Sequence, residues 1–152
     1  MRPKFNVSHR CTKLMAIASG TLLACLVPVS VVASAYGIQY WGGLTVNVRG
    51  QSIGIPAGQL AHKVEGDGNK INRQWGHIST VTSSLCNWRI DYVYFDTNNK
   101  EKRRIRGRLH SSCDNWAYGN TVNPGTVPYG KTCATLYRSG AYVTRQCHFV
   151  TR

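Results

Sequence analysis

The chain has 152 residues, with 19 Lys and Arg against six Asp and Glu, a formal net charge of +13 and six cysteines. That length suits one domain around one core, and the excess of cations excludes an acidic or charge-neutral surface, so polyanions or acidic protein surfaces are the expected partners. The sequence has no close cysteine or histidine ligand spacing and no phosphate-cradling glycine loop, which removes the usual footholds of zinc-dependent and nucleotide-binding readings.

The first 35 residues read as a secretory signal peptide. Arg2, Lys4, Arg10 and Lys13 precede an apolar run from Leu14 to Val32 and a small-residue cleavage signal, Ala33-Ser34-Ala35. Leu22-Leu23-Ala24-Cys25 approaches a lipid-modification box, but Leu23 is too bulky for it. Gly20, Pro28 and several serines interrupt the run as a membrane anchor. A secreted, extracellular chain beginning at Tyr36 keeps 15 basic residues against six acids, a net charge of +9. It loses Cys11 and Cys25 and retains Cys86, Cys113, Cys133 and Cys147. An even number of cysteines in an oxidising compartment predicts two disulfides, with three possible connectivities.

Residues 36–43, Tyr-Gly-Ile-Gln-Tyr-Trp-Gly-Gly, read as an extended N-terminal arm that Gly42 and Gly43 uncouple from a single β-rich domain over 44–152. Tyr36, Ile38, Tyr40 and Trp41 are candidate partner contacts, because an extended segment can add to another protein as a strand and seat alternate side chains in pockets. Packing on its own domain is the plainer alternative. Leu44, Val46 and Val48 then alternate with polar residues, and Gln51 to Val64 reads as two short strands joined at Pro56-Ala57-Gly58. Glu65-Gly66-Asp67-Gly68-Asn69 is a turn, without the ligand count or closing Glu of a calcium loop. Ile71, Trp75, Ile78, Val81 and Leu85 recur at helical spacing, whereas Gly76 and the β-branched run from Ile78 to Thr82 favour a strand. Both readings fit.

Cys86 and Cys113 lie thirteen residues from Asn99 and Lys100 on either side, so a hairpin turning there sets the sulfurs opposite each other. It places Cys86, Trp88, Ile90, Tyr92 and Tyr94 on one face, across from Ile105, Leu109 and Cys113. Arg89, Asp91, Thr97, Lys102, Arg104, Arg106 and Arg108 take the other face. Six of the nine residues from Lys100 to Arg108 are basic. Arg104, Arg106 and Arg108 are therefore candidates for contact with an acidic protein groove, or else a solubilising strand edge that blocks aggregation.

Asp114 to Lys131, rich in Asn, Gly, Pro and Tyr, reads as a long surface loop whose Trp116, Tyr118 and Tyr129 suit either stacking on a sugar or base or covering a small core. Thr132 to Val150 reads as a second hairpin turning at Ser139-Gly140-Ala141, with Cys133 facing Cys147. Hairpin symmetry thus favours the disulfides Cys86–Cys113 and Cys133–Cys147, with the nested pairings left open. The expected fold is mainly β: a small disulfide-stapled antiparallel sandwich or barrel with at most one short helix.

Small, basic and disulfide-bonded also describes secreted nucleases. His62, His77, His110 and His148 with Glu65, Asp67 and Asp91 supply general acids and bases, and His110 and Asp91 could share a face with Arg89, Arg106 and Arg108. A solvated strand face explains the same residues, so no catalytic residue, cofactor or metal is assigned. A stand-alone basic antimicrobial protein acting on cell envelopes is a further alternative.

The segment Cys86-Asn87-Trp88-Arg89-Ile90-Asp91-Tyr92, the stretch from His110 to Cys113, Thr132-Cys133-Ala134-Thr135-Leu136-Tyr137 and Arg145-Gln146-Cys147-His148 together resemble small secreted adaptor subunits of actinobacterial umbrella toxin particles. The resemblance runs from about Ile53 to His148. It implies a non-catalytic antibacterial adaptor with two partners, a lectin-bearing subunit and a large polymorphic toxin subunit with ALF repeats. It implies neither a nucleic-acid partner nor a stable membrane anchor.

Overall fold

The structure, a computed structural model, describes residues 33–152. The predicted leader, with Cys11 and Cys25, lies outside the described residues except for Ala33-Ser34-Ala35. All regular structure among the described residues is strand: β1 (Ala33–Trp41), β2 (Leu44–Val48), β3 (Gln51–Ile55), β4 (Gly58–Asp67), β5 (Lys70–Thr80), β6 (Leu85–Asp96), β7 (Glu101–Ile105), β8 (His110–Asp114), β9 (Trp116–Tyr118), β10 (Gly125–Thr126), β11 (Gly130–Arg138) and β12 (Ala141–Val150). Sheet I runs β1-β4-β5, with β9 and β10 sharing the far side of β5. Sheet II runs β12-β11-β6, with β7 and β8 sharing the far side of β6. The β2–β3 hairpin stands apart, although Leu44 and Val46 pack onto the core. All pairing is antiparallel, and the two sheets form an open sandwich rather than a closed barrel.

The inner face of β6 supplies the centre of the core. Trp88, Ile90, Tyr92 and Tyr94 alternate inward and are at most 1% exposed, packed against Leu60, Ile78 and Leu136. Burying tyrosines commits their hydroxyls to partners, and each finds one across the sandwich. Gln74 Nε2 donates to Tyr94 Oη at 2.6 Å, and Thr132 Oγ1 donates to Gln74 Oε1 at 2.9 Å. Tyr92 Oη accepts from the Gly76 amide at 2.9 Å and donates to the Asn120 carbonyl at 2.7 Å. Burial raises both phenols well above the usual tyrosine range, so both stay neutral. β5, β6 and β11 are thereby locked in one relative position.

Both disulfides form between directly paired residues, Cys86 with Cys113 and Cys133 with Cys147. The register between them differs from the symmetric hairpin. Asn87 adopts φ 52° and shifts the pairing between Cys86 and Trp88, so Leu85 rather than Cys86 shares the inner face with Trp88. At the other end the Asp96 carboxylate accepts from the Asn98 and Lys100 amides, both at 2.9 Å, and draws the turn back ahead of Lys100. Between β7 and β8 the chain leaves the ladder at Arg106 to Leu109. Gly107 crosses the backbone of β6 there, where a Cβ would overlap the Ile90 carbonyl. Leu109 is consequently 56% exposed and not in the core.

Two further expectations change, and one left open is decided. Residues 36–41 are not a detached arm: β1 pairs with β4 along its whole length, from Ala33 opposite Gly66 to Trp41 opposite Gly58. Trp41 is buried over Gly58 and donates its indole N–H to the Pro56 carbonyl at 2.6 Å, which removes it from any exposed set. Residues 70–80 form strand and no helix. The β4–β5 register slips between Glu65 and Gly66, leaving Asn72 as the extra residue, so Ile71, Gln74, Gly76 and Ile78 face inward while Trp75 faces out. The segment from Asp114 to Lys131 is not a free loop: β9, β10 and a bridge from Val122 to Gln74 dock it along β5.

Candidate functional site: the two outer faces

Paired residues on neighbouring strands point to the same side of a sheet, so the outer faces can be read as rows. On sheet I one row is Tyr36, Lys63 and Trp75; the next is Ile38, Ala61, His77 and Tyr118; the third is Tyr40, Gln59, Ser79 and Trp116. Rings therefore stand on either side of β4, whose central Ala61 is fully covered. On the β1 side Tyr36, Ile38 and Tyr40 are 53%, 38% and 68% exposed. On the β5–β9 side Trp75, His77, Trp116 and Tyr118 form a contiguous ring cluster. Tyr118 stands edge-on to Trp116 at 4.8 Å and to Trp75 and His77 at 5.4 Å between centroids. The acid beside these rows, Glu65, is held by Lys63 at 2.7 Å and Arg73 at 3.4 Å.

Sheet II presents a different chemistry. Its rows are Tyr142, Tyr137 and Arg89; Arg145, Thr135 and Asp91; Cys147, Cys133, Val93 and Arg104; and Phe149, Lys131 and Phe95. Asp91 is 1% exposed, roofed by Arg89 Nε at 3.0 Å and Arg104 Nη1 at 3.6 Å, and its Oδ1 accepts from the Gly107 amide at 3.0 Å. Cations then sit on rings. The Arg89 guanidinium lies 4.7 Å from the Tyr137 centroid, while Arg145 and Lys131 each lie 5.1 Å from that of Phe95. Phe149 is exposed at 85%, and beside it a cleft of about 480 Å³ is lined by Tyr129, Lys131, Phe149 and Arg152 among others.

The anticipated basic cluster divides. Arg104 is engaged by Glu101 at 2.7 Å and by the Tyr137 hydroxyl at 3.0 Å, and the Glu101 contact raises its pKa further. Lys102 pairs with Asp96, and Arg103 turns to the Pro124 carbonyl at 2.8 Å. Arg106 and Arg108 remain exposed and form no ion pair among the described residues.

The histidines are scattered. His110 pairs with Trp88 and stacks on its indole at 3.9 Å, so it lies on the opposite side of β6 from Asp91, and the cluster that would join it to Asp91 and Arg89 is not assembled. His62 is buried between the sheets with neither ring nitrogen hydrogen-bonded, 5.0 Å from the His148 ring. Desolvation, helped by the charge of His148, lowers its pKa to about 3. Gly50-Gln51-Ser52-Ile53-Gly54 has the spacing of a nucleophile elbow, but Ser52 lies within β3 and donates to Asn47 Oδ1 at 2.8 Å, without the following helix such an elbow needs. Among the described residues no three His, Cys, Asp or Glu side chains converge as metal ligands.

Lys131, Arg145, Tyr142 and Phe149 on sheet II are not among the expected contacts, and on sheet I the sequence offers His77 only as an acid or base and Trp75 only as part of an apolar pattern. A signal was available: extending the Cys133–Cys147 pairing by twos along both strands puts Lys131 opposite Phe149 and Thr135 opposite Arg145. No protein-family model, curated protein or solved structure matches the chain.

Proposed function

We propose that this is a secreted, non-catalytic connector that holds two partners on one stiff body. One observation carries the reading: opposite sides of a disulfide-stapled sandwich present exposed side chains of different chemistry, aromatic on sheet I and cation-on-aromatic on sheet II. The two disulfides imply an oxidising compartment, in keeping with export. Arg106, Arg108, Arg145 and Lys131 suit an acidic protein groove by charge, with steering strongest at low salt. Tyr36, Ile38 and Tyr40 form the second contact as an exposed ridge on a fixed edge strand, so they engage a partner without an ordering cost. The resemblance to umbrella-particle adaptors makes the partners concrete: a lectin-bearing subunit and a large ALF-repeat toxin subunit, joined in a particle that kills competing bacteria.

The test is co-purification from the producing culture with the tagged full chain. Arg106→Glu with Arg108→Glu and Arg145→Glu should lose one companion in a salt-dependent way, and Tyr36→Ala with Tyr40→Ala should lose the other. A chain that recovers no companion, cleaves RNA, or kills cells alone would overturn the connector reading.

A further inference from the structure

The β1 ridge leaves the ring cluster across β4 without a role. Its geometry is built. β9 reads Trp-Ala-Tyr: Ala117 packs inward on the core, while Trp116 and Tyr118 stand outward at 55% and 49% exposure. Rings that served only to cover the core would occupy the inner position. Instead the strand is clamped at both ends, by the Thr80 amide on the Asn115 carbonyl at 2.8 Å and the Gly119 amide on the Gly76 carbonyl at 2.9 Å. Contacts with Trp75 at 5.4 Å and His77 at 5.4 and 5.8 Å then hold the outward rings. An ordered, exposed aromatic patch of this kind marks a binding surface.

The chemistry of the patch restricts its ligand. The rows holding His77, Tyr118, Ser79 and Trp116 contain no Asp, Glu, Lys or Arg, although the chain beyond the leader carries +9. Burial lowers the His77 pKa, which keeps its ring neutral at pH 7. Base stacking on aromatics needs a cationic groove along the phosphates, and here Lys63 and Arg73 are taken up by Glu65, while Lys70, which forms no ion pair among the described residues, stands at the opposite end of β5 from Ser79. On the β5–β9 side these rows hold no aliphatic side chain, Ile38 lying across β4 on the β1 ridge and Ala61 being covered. What remains is an uncharged ligand with C–H faces for the negative ring faces and hydroxyls for the polar fringe of indole N–H, phenol, Gln59 and Ser79. We infer that Trp75, His77, Trp116 and Tyr118 form a site for a neutral pyranose polysaccharide, distinct from the contacts assigned to the two protein partners.

The experiment is depletion of the disulfide-bonded chain from solution by insoluble chitin and by cellulose, at low and at 1 M salt. Retention on either polymer that persists in 1 M salt, and falls by about tenfold for Trp116→Ala and for Tyr118→Ala, is the expected result. Arg145→Glu should bind the polymer as the wild type does, and both ring variants should keep their companions in co-purification. Unaltered circular dichroism checks that each variant folds. No retention on either polymer, retention that salt abolishes, or retention unchanged in both ring variants would overturn the glycan site. Loss of a protein companion in Trp116→Ala and Tyr118→Ala without polymer binding by the wild type would also overturn it, and would leave the connector reading standing.

Discussion

The outer face of sheet II is tied together by charge and by disulfides, whereas that of sheet I is held by contacts between rings. On sheet II each exposed ring is partnered by a cation or borders one, a buried carboxylate anchors two arginines, and both disulfides cross neighbouring strands of that sheet. Sheet I has no disulfide among the described residues, its far edge is assembled from the short β9 and β10, and its rings meet other rings or solvent. Cross-linking contacts are therefore concentrated on the sheet II side, where Lys131 and Arg145 also offer charge to a partner, while the sheet I side presents rings without charged partners. A binding face is left incomplete at little cost when the rigidity that positions it comes from elsewhere.

Removing the staples should break this asymmetry most severely. The disulfides close loops of 27 and 14 residues in sequence separation, so replacing all four cysteines by serine should lower the unfolding free energy by about 6 kcal/mol in urea titration. Hydrogen exchange should rise first in β6, β11 and β12. Equal loosening of β4 and β5 would show that the sheets do not differ in the source of their rigidity.

Acid acts next, from inside. The His62 pKa falls from 6.5 to about 3 on folding, so the unfolded chain binds the extra proton between those values and stability drops as pH falls below 6.5. The slope approaches about 1.4 kcal/mol per pH unit, a loss of about 2 kcal/mol between pH 6.5 and 4.5, with the lowered pKa values of Glu65 and Glu101 adding to it only at the acid end. His62→Leu should reduce the slope of urea midpoints over that interval, leaving the smaller part that the lowered pKa values of His77 and His110 supply, and an unchanged slope would assign the acid sensitivity elsewhere.

Asp91→Asn probes sheet II alone. It leaves Arg89 and Arg104 adjacent without their shared carboxylate, and since both guanidinium groups reach solvent the loss should be about 2 kcal/mol by thermal or urea unfolding. The smallest effect belongs to sheet I. Trp116→Ala or Tyr118→Ala should change stability by less than about 1 kcal/mol, because these rings cover no core. A larger loss would mean that they are structural after all.

The local features were legible before the fold was known. Alternation from Trp88 to Tyr94, the turn near Asn99 and the turn at Ser139 each bring close neighbours in sequence into antiparallel pairs, so spacing alone located both disulfides and the second hairpin. Single-residue shifts defeated the rest. Asn87 and Asn72 each move a strand out of phase, which left β5 open between helix and strand and exchanged Cys86 for Leu85 on the inner face. The candidate residues divide for other reasons, plain alternation along β1 and ion pairing by Glu101. Tyr36, Ile38 and Tyr40 are exposed, Trp41 is buried, and of the three arginines Arg104 is already engaged.

By itself the order of residues fixed the cationic excess and favoured a mainly β fold with the two cross-strand disulfides, because each depends on neighbours or on simple counting. Tertiary structure decided which side chains remain available for binding. That depends on β4 separating the Tyr36–Tyr40 ridge from Trp116 and Tyr118, on β9 crossing to the edge of β5, and on Asp91 sinking beneath two arginines. Those contacts join residues far apart in the chain, and the entropy of closing such loops is repaid only by the assembled core, so no local pattern records them.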